Sequence, residues 1–277
     1  MSSQHVTVAD RSDSPALARF AAQHPLVRAD FASIALLQPA EPRVWLARTG
    51  DTIDAAAIDD GLAMSVSGSP EGLQAIAAHV DDIDSKLVIA GRTPDVRAFV
   101  ADAVEPRRER PEHFMAVGRG ELRVAAEALP LRIAVEDDLP MLIQARAAAL
   151  AEEYGIPVAP GSHLHGELAD SVTRAVSLQG VAIWVDEDRC AFTAQLIAKT
   201  PEAAMFGDLF TDPELRGAGR ATRGLTAFSA WLMSESAHVT LRVGVENTPA
   251  VRLYERVGFQ VVDDFCSSLG PQPDELG

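Results

Sequence analysis

The chain has 277 residues, a length that suits two domains each burying a core of its own. With 24 Lys and Arg against 40 Asp and Glu the net charge is −16, which weighs against a nucleic-acid partner because little remains to neutralise a phosphate backbone; the acidity favours a cationic substrate and equally serves solubility. No run approaches the ~18 apolar residues of a membrane span, the polar start Met1 to Ser14 lacks the basic head and apolar core of a secretory signal, and Cys190 and Cys266 fit a reducing compartment better than a disulfide framework; the expectation is a soluble, cytoplasmic protein.

In the N-terminal half, helices are expected at Pro15 to Ala22 and Leu26 to Leu37. Short strands follow near Arg43 to Arg48, Thr52 to Ala57 and Leu62 to Ser67, then a helix over Pro70 to Val80. Lys86 to Ala90 reads as a strand, Pro94 to Val104 as a helix, and His113 to Val117 with Leu122 to Ala125 as a hairpin across Gly118-Arg119-Gly120.

After a short connection at Glu127 to Pro130, Leu131 to Ala134 reads as a strand and Asp138 to Glu153 as a helix. Gly155 to His165, with Pro157, Pro160 and Gly161, reads as a loop before a helix over Gly166 to Leu178. His163 and His165 flank Leu164 there; a metal site needs a third ligand, which the sequence does not supply, so they read as surface histidines. Strands are expected at Val181 to Val185, Cys190 to Ala198, Ala203 to Thr211 and Thr240 to Glu246. Between the last two, Ala221 to Met233 forms a helix with Leu225, Phe228 and Leu232 on one face.

Two motifs stand out. The first, Arg216-Gly217-Ala218-Gly219-Arg220-Ala221, lies where a strand ending Leu209-Phe210-Thr211 hands over to that helix. Glycines there permit backbone angles and close approaches a side chain would block, and the free N–H groups of the helix's first turn form an anion site. Arg216, Arg220 and Arg223 fall on one helical face with no Asp or Glu between Leu215 and Met233, a basic island in an acidic chain. The second motif runs from Asn247 through Ala250, Leu253 and Tyr254 to Gly258-Phe259.

Together these motifs resemble the GNAT superfamily of N-acetyltransferases, whose signature is Gln/Arg-x-x-Gly-x-Gly/Ala at a strand-to-helix junction; Arg216, Gly219 and Ala221 match its fixed positions. The resemblance covers roughly Leu131 to Leu269 and depends on the two motifs occurring in the family's order and spacing. It implies that the amides of Arg216, Gly217, Ala218, Gly219, Arg220 and Ala221 hold the pyrophosphate of acetyl-CoA. It further implies that Leu209, Phe210 and Thr211 splay from the neighbouring strand to bond the pantetheine arm, with Asn247 and Tyr254 completing the cofactor site. Tyr254 is implied as general acid for the departing thiolate. Asp208 or Glu246 is the implied acceptor of the amine's proton, an amine of lysine type having a pKa near ~10.4. The segment between the first two helices of this half is implied to line the acceptor pocket.

Thr93-Pro94-Asp95-Val96-Arg97-Ala98-Phe99 aligns with Thr248-Pro249-Ala250-Val251-Arg252-Leu253-Tyr254, each after a hydrophobic strand. The expected fold is therefore α/β (α+β) with two tandem GNAT-like lobes, each a mixed, mostly antiparallel twisted sheet flanked by helices: a degenerate lobe at 1–127 and a catalytic one at 128–277. Phe99 replaces the tyrosine, Arg92 the asparagine, and Gly68-Ser69-Pro70-Glu71-Gly72 lacks the basic loop, so the first lobe is not expected to bind acetyl-CoA. Neither cysteine lies in a motif or near an activating base, which favours direct transfer in a ternary complex. The leading function is an acetyl-CoA-dependent N-acetyltransferase acting on a primary amine, a small molecule or peptide. The rival is a non-catalytic acetyl-CoA-binding sensor or scaffold. Nucleotide enzymes are set aside, since Gly-x-Gly-x-x-Gly and Gly-Lys-Ser/Thr are absent.

Overall fold

A computed structural model describes residues 4–37, 42–61, 63–80, 83–125 and 127–270. Leu62, where the sequence opens its third strand, and Met1 to Ser3 of the polar start lie outside them. The chain divides into two compact units, one of residues 1–114 and 261–277, the other of residues 115–260.

In the first unit β1 (Gln4–Val8), α1 (Ser14–Ala22), α2 (Ala29–Leu37), β2 (Arg43–Thr49), β3 (Thr52–Asp59), β4 (Ala63–Gly68), α3 (Pro70–Ala77), β5 (Val88–Arg92) and α4 (Thr93–Phe99) follow in order. The pairs β1·β2, β2·β3 and β3·β4 are antiparallel, and β4·β5 is parallel. Alternation builds two layers on this sheet. Val44 and Leu46 of β2 pack with Leu17, Phe20 and Phe31 of α1 and α2, while Ala47 of β2 and Ala55 and Ala57 of β3 pack with Leu73 and Ile76 of α3. The last strand of the chain, β12 (Gln260–Leu269), lies antiparallel on β5 with Phe265 opposite Arg92 and Leu269 opposite Val88.

The second unit repeats the plan with β7 (Arg132–Ile133), α5 (Leu139–Tyr154), α6 (His163–Ser177), β8 (Val181–Asp186), β9 (Arg189–Lys199), β10 (Ala203–Thr211), α7 (Arg220–Leu232), β11 (His238–Gly244) and α8 (Thr248–Val257). Here β7·β8, β8·β9 and β9·β10 are antiparallel and β10·β11 is parallel. Val181 and Ile183 of β8 face Leu142, Ala145 and Val172 of α5 and α6. Ala182, and Phe192 and Ala194 of β9, face Leu225, Phe228 and Leu232 of α7, each of the last three worth ~1.5–3 kcal/mol on burial. Gly224 lets α7 sit close, since a Cβ there would meet the Phe192 ring at 2.6 Å.

The observed architecture is the expected one, a mixed, mostly antiparallel sheet flanked by helices in each half. Among the details that differ from the sequence reading, three bear on the site and the division. The proposed hairpin does not form: β6 is one long strand, Arg108–Gly118, and Leu122 to Ala125 is not a strand, because after the turn at Gly118 only Arg123 N bonds outward, to Val257 O at 2.8 Å. His163 and His165 fall in the first turn of α6 rather than in a loop, since Ser162 caps that helix by accepting from His165 N at 3.1 Å. The division also differs from 1–127 and 128–277: β12 from Val261 onward belongs with the first unit, because it pairs antiparallel with β5.

Candidate active site

The parallel pair β10·β11 registers only Ala203 to Met205 against His238 to Thr240. Both strands continue past this point, β10 to Thr211 and β11 to Gly244, so they part company and leave a gap between their C-terminal halves. On the other side β10 stays with β9, but between Gly207 opposite Gln195 and Phe210 opposite Thr193 the two residues Asp208 and Leu209 face the single residue Ala194. This is a β-bulge, which bends the strand and takes a residue out of the ladder. Asp208 sits in it at φ 52°, a left-handed conformation that Asp tolerates better than most residues.

Beyond Thr211 the chain turns through Pro213–Leu215 into the glycine motif. Gly217 and Gly219 lie at φ 84° and 72°, each with open space where a Cβ would stand. Gly219 is the N-cap of α7 and no side chain caps that helix end, so its first-turn N–H groups are left for an outside acceptor. Among the described residues, two buried hydroxyls, Thr211 Oγ1 at the end of β10 and Thr240 Oγ1 at the fork with β11, find no hydrogen-bond partner. An extended ligand with an anionic group and amide-like polar groups along its length fits this ground.

The three arginines of the basic island diverge. Arg216 grips Glu152 of α5 through two bonds of 2.6 and 2.7 Å and donates from Nε to Thr211 O at 2.9 Å. That pair holds the Glu152 carboxyl below its ordinary value. Arg223 donates to the Glu127 backbone at 3.0 Å and lies 3.4 Å from its carboxylate. Among the described residues no carboxylate pairs with Arg220, which donates to Leu215 O at 3.1 Å and lies 6.0 Å from the Trp184 ring. Sequence spacing put these residues on one face but carried no signal for Glu152, whose partner is 64 positions away.

In α8, Asn247 serves as N-cap, its Oδ1 accepting from Ala250 N at 3.2 Å, so this oxygen of the proposed cofactor residue is used by the helix. Gly258 ends the helix at φ 114°, and a Cβ there would stand 2.3 Å from Glu121 O, so both the angle and the close approach require glycine. Tyr254 is 7% exposed and packs edge-on against Phe206 and Phe259, with ring centroids 6.4 and 5.8 Å away. Burial first, then the negative charge of Glu153, raises its phenol well above the ordinary tyrosine value. The hydroxyl therefore remains a protonated donor at neutral pH.

On the α5 and α6 side of β9 and β10 lies a recess with about 320 Å³ of free space, open solvent included. Arg146, Thr193, Gln195 and Asp208 bring polar groups to it. Glu246, the other acid proposed from the sequence, is exposed in the turn after β11 and does not line it. Arg146 was missed because a lone arginine in an alanine-rich helix carries no sequence signal. Its Nη1 lies 2.8 Å from Asp208 Oδ1. Burial pushes the Cys190 thiol up to about 12 and the Cys266 thiol to about 11, so neither is a thiolate nucleophile at neutral pH. Among the described residues there is no cluster of three or more metal-ligating side chains, and no helix is long and apolar enough to cross a membrane.

Residues 164–259, a span within the second unit, match the model of the acetyltransferase (GNAT) family. The chain's fold is shared by a GNAT-family acetyltransferase of Novosphingobium aromaticivorans (19% identity, 79% of this chain and 89% of that one, TM-score 0.56). It is also shared by a GCN5-related N-acetyltransferase of Sphaerobacter thermophilus (17% identity, 97% and 96%, TM-score 0.58). A tandem GNAT protein from the clavulanic acid biosynthesis pathway aligns over 98% of this chain and 100% of its own at 13% identity, with a TM-score of 0.56; the two-unit arrangement is thus one that a tandem GNAT structure also adopts. No match is found among curated proteins.

Proposed function

We propose that the protein transfers an acetyl group from acetyl-CoA directly to a primary amine at the β10–β11 fork. The observation that carries this reading is the separation of that parallel pair immediately ahead of the open αL turn at Gly217 and Gly219. The amides of Gly217 to Ala221 bind the pyrophosphate, joined by the guanidinium of Arg220. Thr211, Thr240 and the exposed backbone of Leu209 to Thr211 bond the pantetheine arm. Acetyl-CoA supplies an activated thioester carbonyl. The β10 bulge orients backbone donors toward that carbonyl oxygen, stabilising the charge it gains when the amine nitrogen bonds to its carbon. As the carbon–sulfur bond breaks, Tyr254 gives its proton to the sulfur and regains one from water, while the ammonium's surplus proton leaves through Asp208 or solvent.

The corresponding fork in the first unit is shut, and this supports a single active site. There β4 and β5 register over Ala63 to Val66 against Val88 to Gly91, and a Cβ on Gly91 would meet Val66 O at 2.4 Å. The head of α3 is already capped by Ser69, which accepts from Gly72 N at 3.2 Å, so an anion finds fewer free donors there.

The test is thiol release from acetyl-CoA by the full chain across polyamines, aminoglycosides, amino acids and basic peptides, alongside calorimetry of coenzyme A binding. Turnover on at least one amine is expected. Tight coenzyme A binding with no turnover on any would replace this reading with that of an acetyl-CoA sensor.

A further inference from the structure

Resting on that acetyltransferase reading, the geometry points to a zwitterionic acceptor: an α-amino acid with a small apolar side chain, its carboxylate on Arg146 and its ammonium on Asp208. Two ion pairs of the second unit are bidentate. Arg132 meets Asp138 with two bonds of 2.6 and 2.7 Å, and Arg216 meets Glu152 in the same fork-on-fork way. Such pairs use both terminal nitrogens of the guanidinium and both carboxylate oxygens, which is what a structural strut requires.

The Arg146–Asp208 pair is different. It consists of one contact, Nη1 to Oδ1, and among the described residues neither side chain has another polar partner. Nη2 and Nε of Arg146 and Oδ2 of Asp208 are therefore available, on side chains that are only 24% and 25% exposed. A partly desolvated cation and anion set side by side, each with one coordinating edge unspent, complement a ligand carrying the opposite charges a few ångströms apart. Thr193 and Gln195 add neutral hydrogen-bonding groups at the same recess.

The remaining wall is carbon, contributed by Leu142, Ala149, Val172, Val181 and Phe210. Among the described residues no further charge lines it, so a lysine- or glutamate-like side chain would meet carbon without a charged partner, where a small alkyl group packs. Asp208 belongs to the same bulge that borders the fork, held there at positive φ. Strain of this kind accumulates where a side chain must be aimed. The arrangement makes Arg146 a specificity-determining residue for the acceptor.

The experiment compares matched acceptors in the full chain: alanine and valine, their amides, and their decarboxylated amines, by thiol release and by calorimetry in the presence of coenzyme A. The amino acids are expected to be preferred over both analogues by at least ~10-fold in kcat/KM, the scale of a lost charge-assisted contact. Arg146→Leu is expected to abolish that preference by raising KM for the amino acids alone, and Arg146→Lys, which keeps the charge but not the planar fork, to fall between. Circular dichroism reports whether either variant is folded, and the wild-type comparison decides the matter without them. Equal use of amines and amino acids, or equal loss on both in a folded Arg146→Leu, overturns the proposal while leaving acetyl transfer in place. Calorimetric binding of the amino acid with no turnover overturns the transferase reading and keeps the acceptor site; absence of both binding and turnover overturns both.

Discussion

Tyr254 combines two properties that rarely coincide on a surface tyrosine: near-complete burial beside Phe206 and Phe259, and a phenol raised by that burial and by Glu153. A donor kept protonated at neutral pH is suited to giving a proton to a leaving thiolate and unsuited to acting as a base. Tyr254→Phe preserves the packing and is expected to lower turnover by ~10² or more with coenzyme A affinity nearly unchanged; steady-state kinetics with calorimetry checks this, and equal turnover returns Tyr254 to packing alone. The arginines separate in the same spirit. Arg216 is spent on Glu152 whereas Arg220 pairs with no carboxylate among the described residues. Arg220→Gln is therefore expected to weaken coenzyme A binding by about tenfold, as for one charged hydrogen bond, and Arg216→Gln by less than about threefold. The reverse ranking would put Arg216 on the phosphate.

At the scale of elements, the two ends of α8 show why a matching motif residue need not touch a ligand. Asn247 caps the helix and Gly258 ends it against Glu121. Asn247→Ala is expected to cost ~1 kcal/mol of stability and to leave the KM for acetyl-CoA within about twofold, while Gly258→Ala costs more than ~1 kcal/mol through both angle and clash; denaturant unfolding of the two variants, with kinetics, separates stability from binding. At the entry to α5, Asp138 accepts two bonds from Arg132 and one from Val135 N at 2.8 Å, and those of Arg132 are the main reason its carboxyl lies below the ordinary value. A lowered folded value stabilises fully above the unfolded value of ~3.9 and fades as pH falls through the folded one. Wild type should thus lose stability more steeply than Asp138→Asn below about pH 4, which acid unfolding followed by circular dichroism would show.

These elements also mark how far the sequence could be read. Ala203–Thr211 is a strand over the expected residues because it is a bounded run of buried side chains, and α7 follows from Leu225, Phe228 and Leu232 at helical spacing. The glycine turn at the head of α7 was legible because its signal is local. Glu152 and Arg146 were not, since each matters through a partner more than sixty positions away on another element. Strand β1 was hidden by its short, largely polar composition, Gln-His-Val-Thr-Val, in which Val6 packs against the core while the strand pairs with β2. The hairpin at Gly118 failed for the converse reason: turn residues flanked by apolar ones look alike whether or not the second arm has a strand to pair with.

For the molecule as a whole, the telling feature is that the last strand in sequence belongs to the first unit in space. Phe265 stacks on Phe114 with centroids 4.7 Å apart, and Phe265, Cys266 and Leu269 are at most 5% exposed. Ser267 donates to the buried Glu112 at 2.7 Å, and Arg107 holds the backbone of Ser268 at 2.9 Å. Three buried side chains at ~1.5–3 kcal/mol each, together with the backbone bonds to β5, amount to much of the ~5–15 kcal/mol that keeps a domain folded. A chain ending after Phe259 retains every residue of the GNAT match yet strips β5 of its antiparallel neighbour, exposing an unpaired edge of the kind that promotes aggregation. The truncated protein is expected to lose hydrogen-exchange protection at Val88 to Arg92 and to aggregate where the full chain does not. Undiminished protection there would mean that the first unit holds together without β12, and that residues 1–114 suffice for its fold.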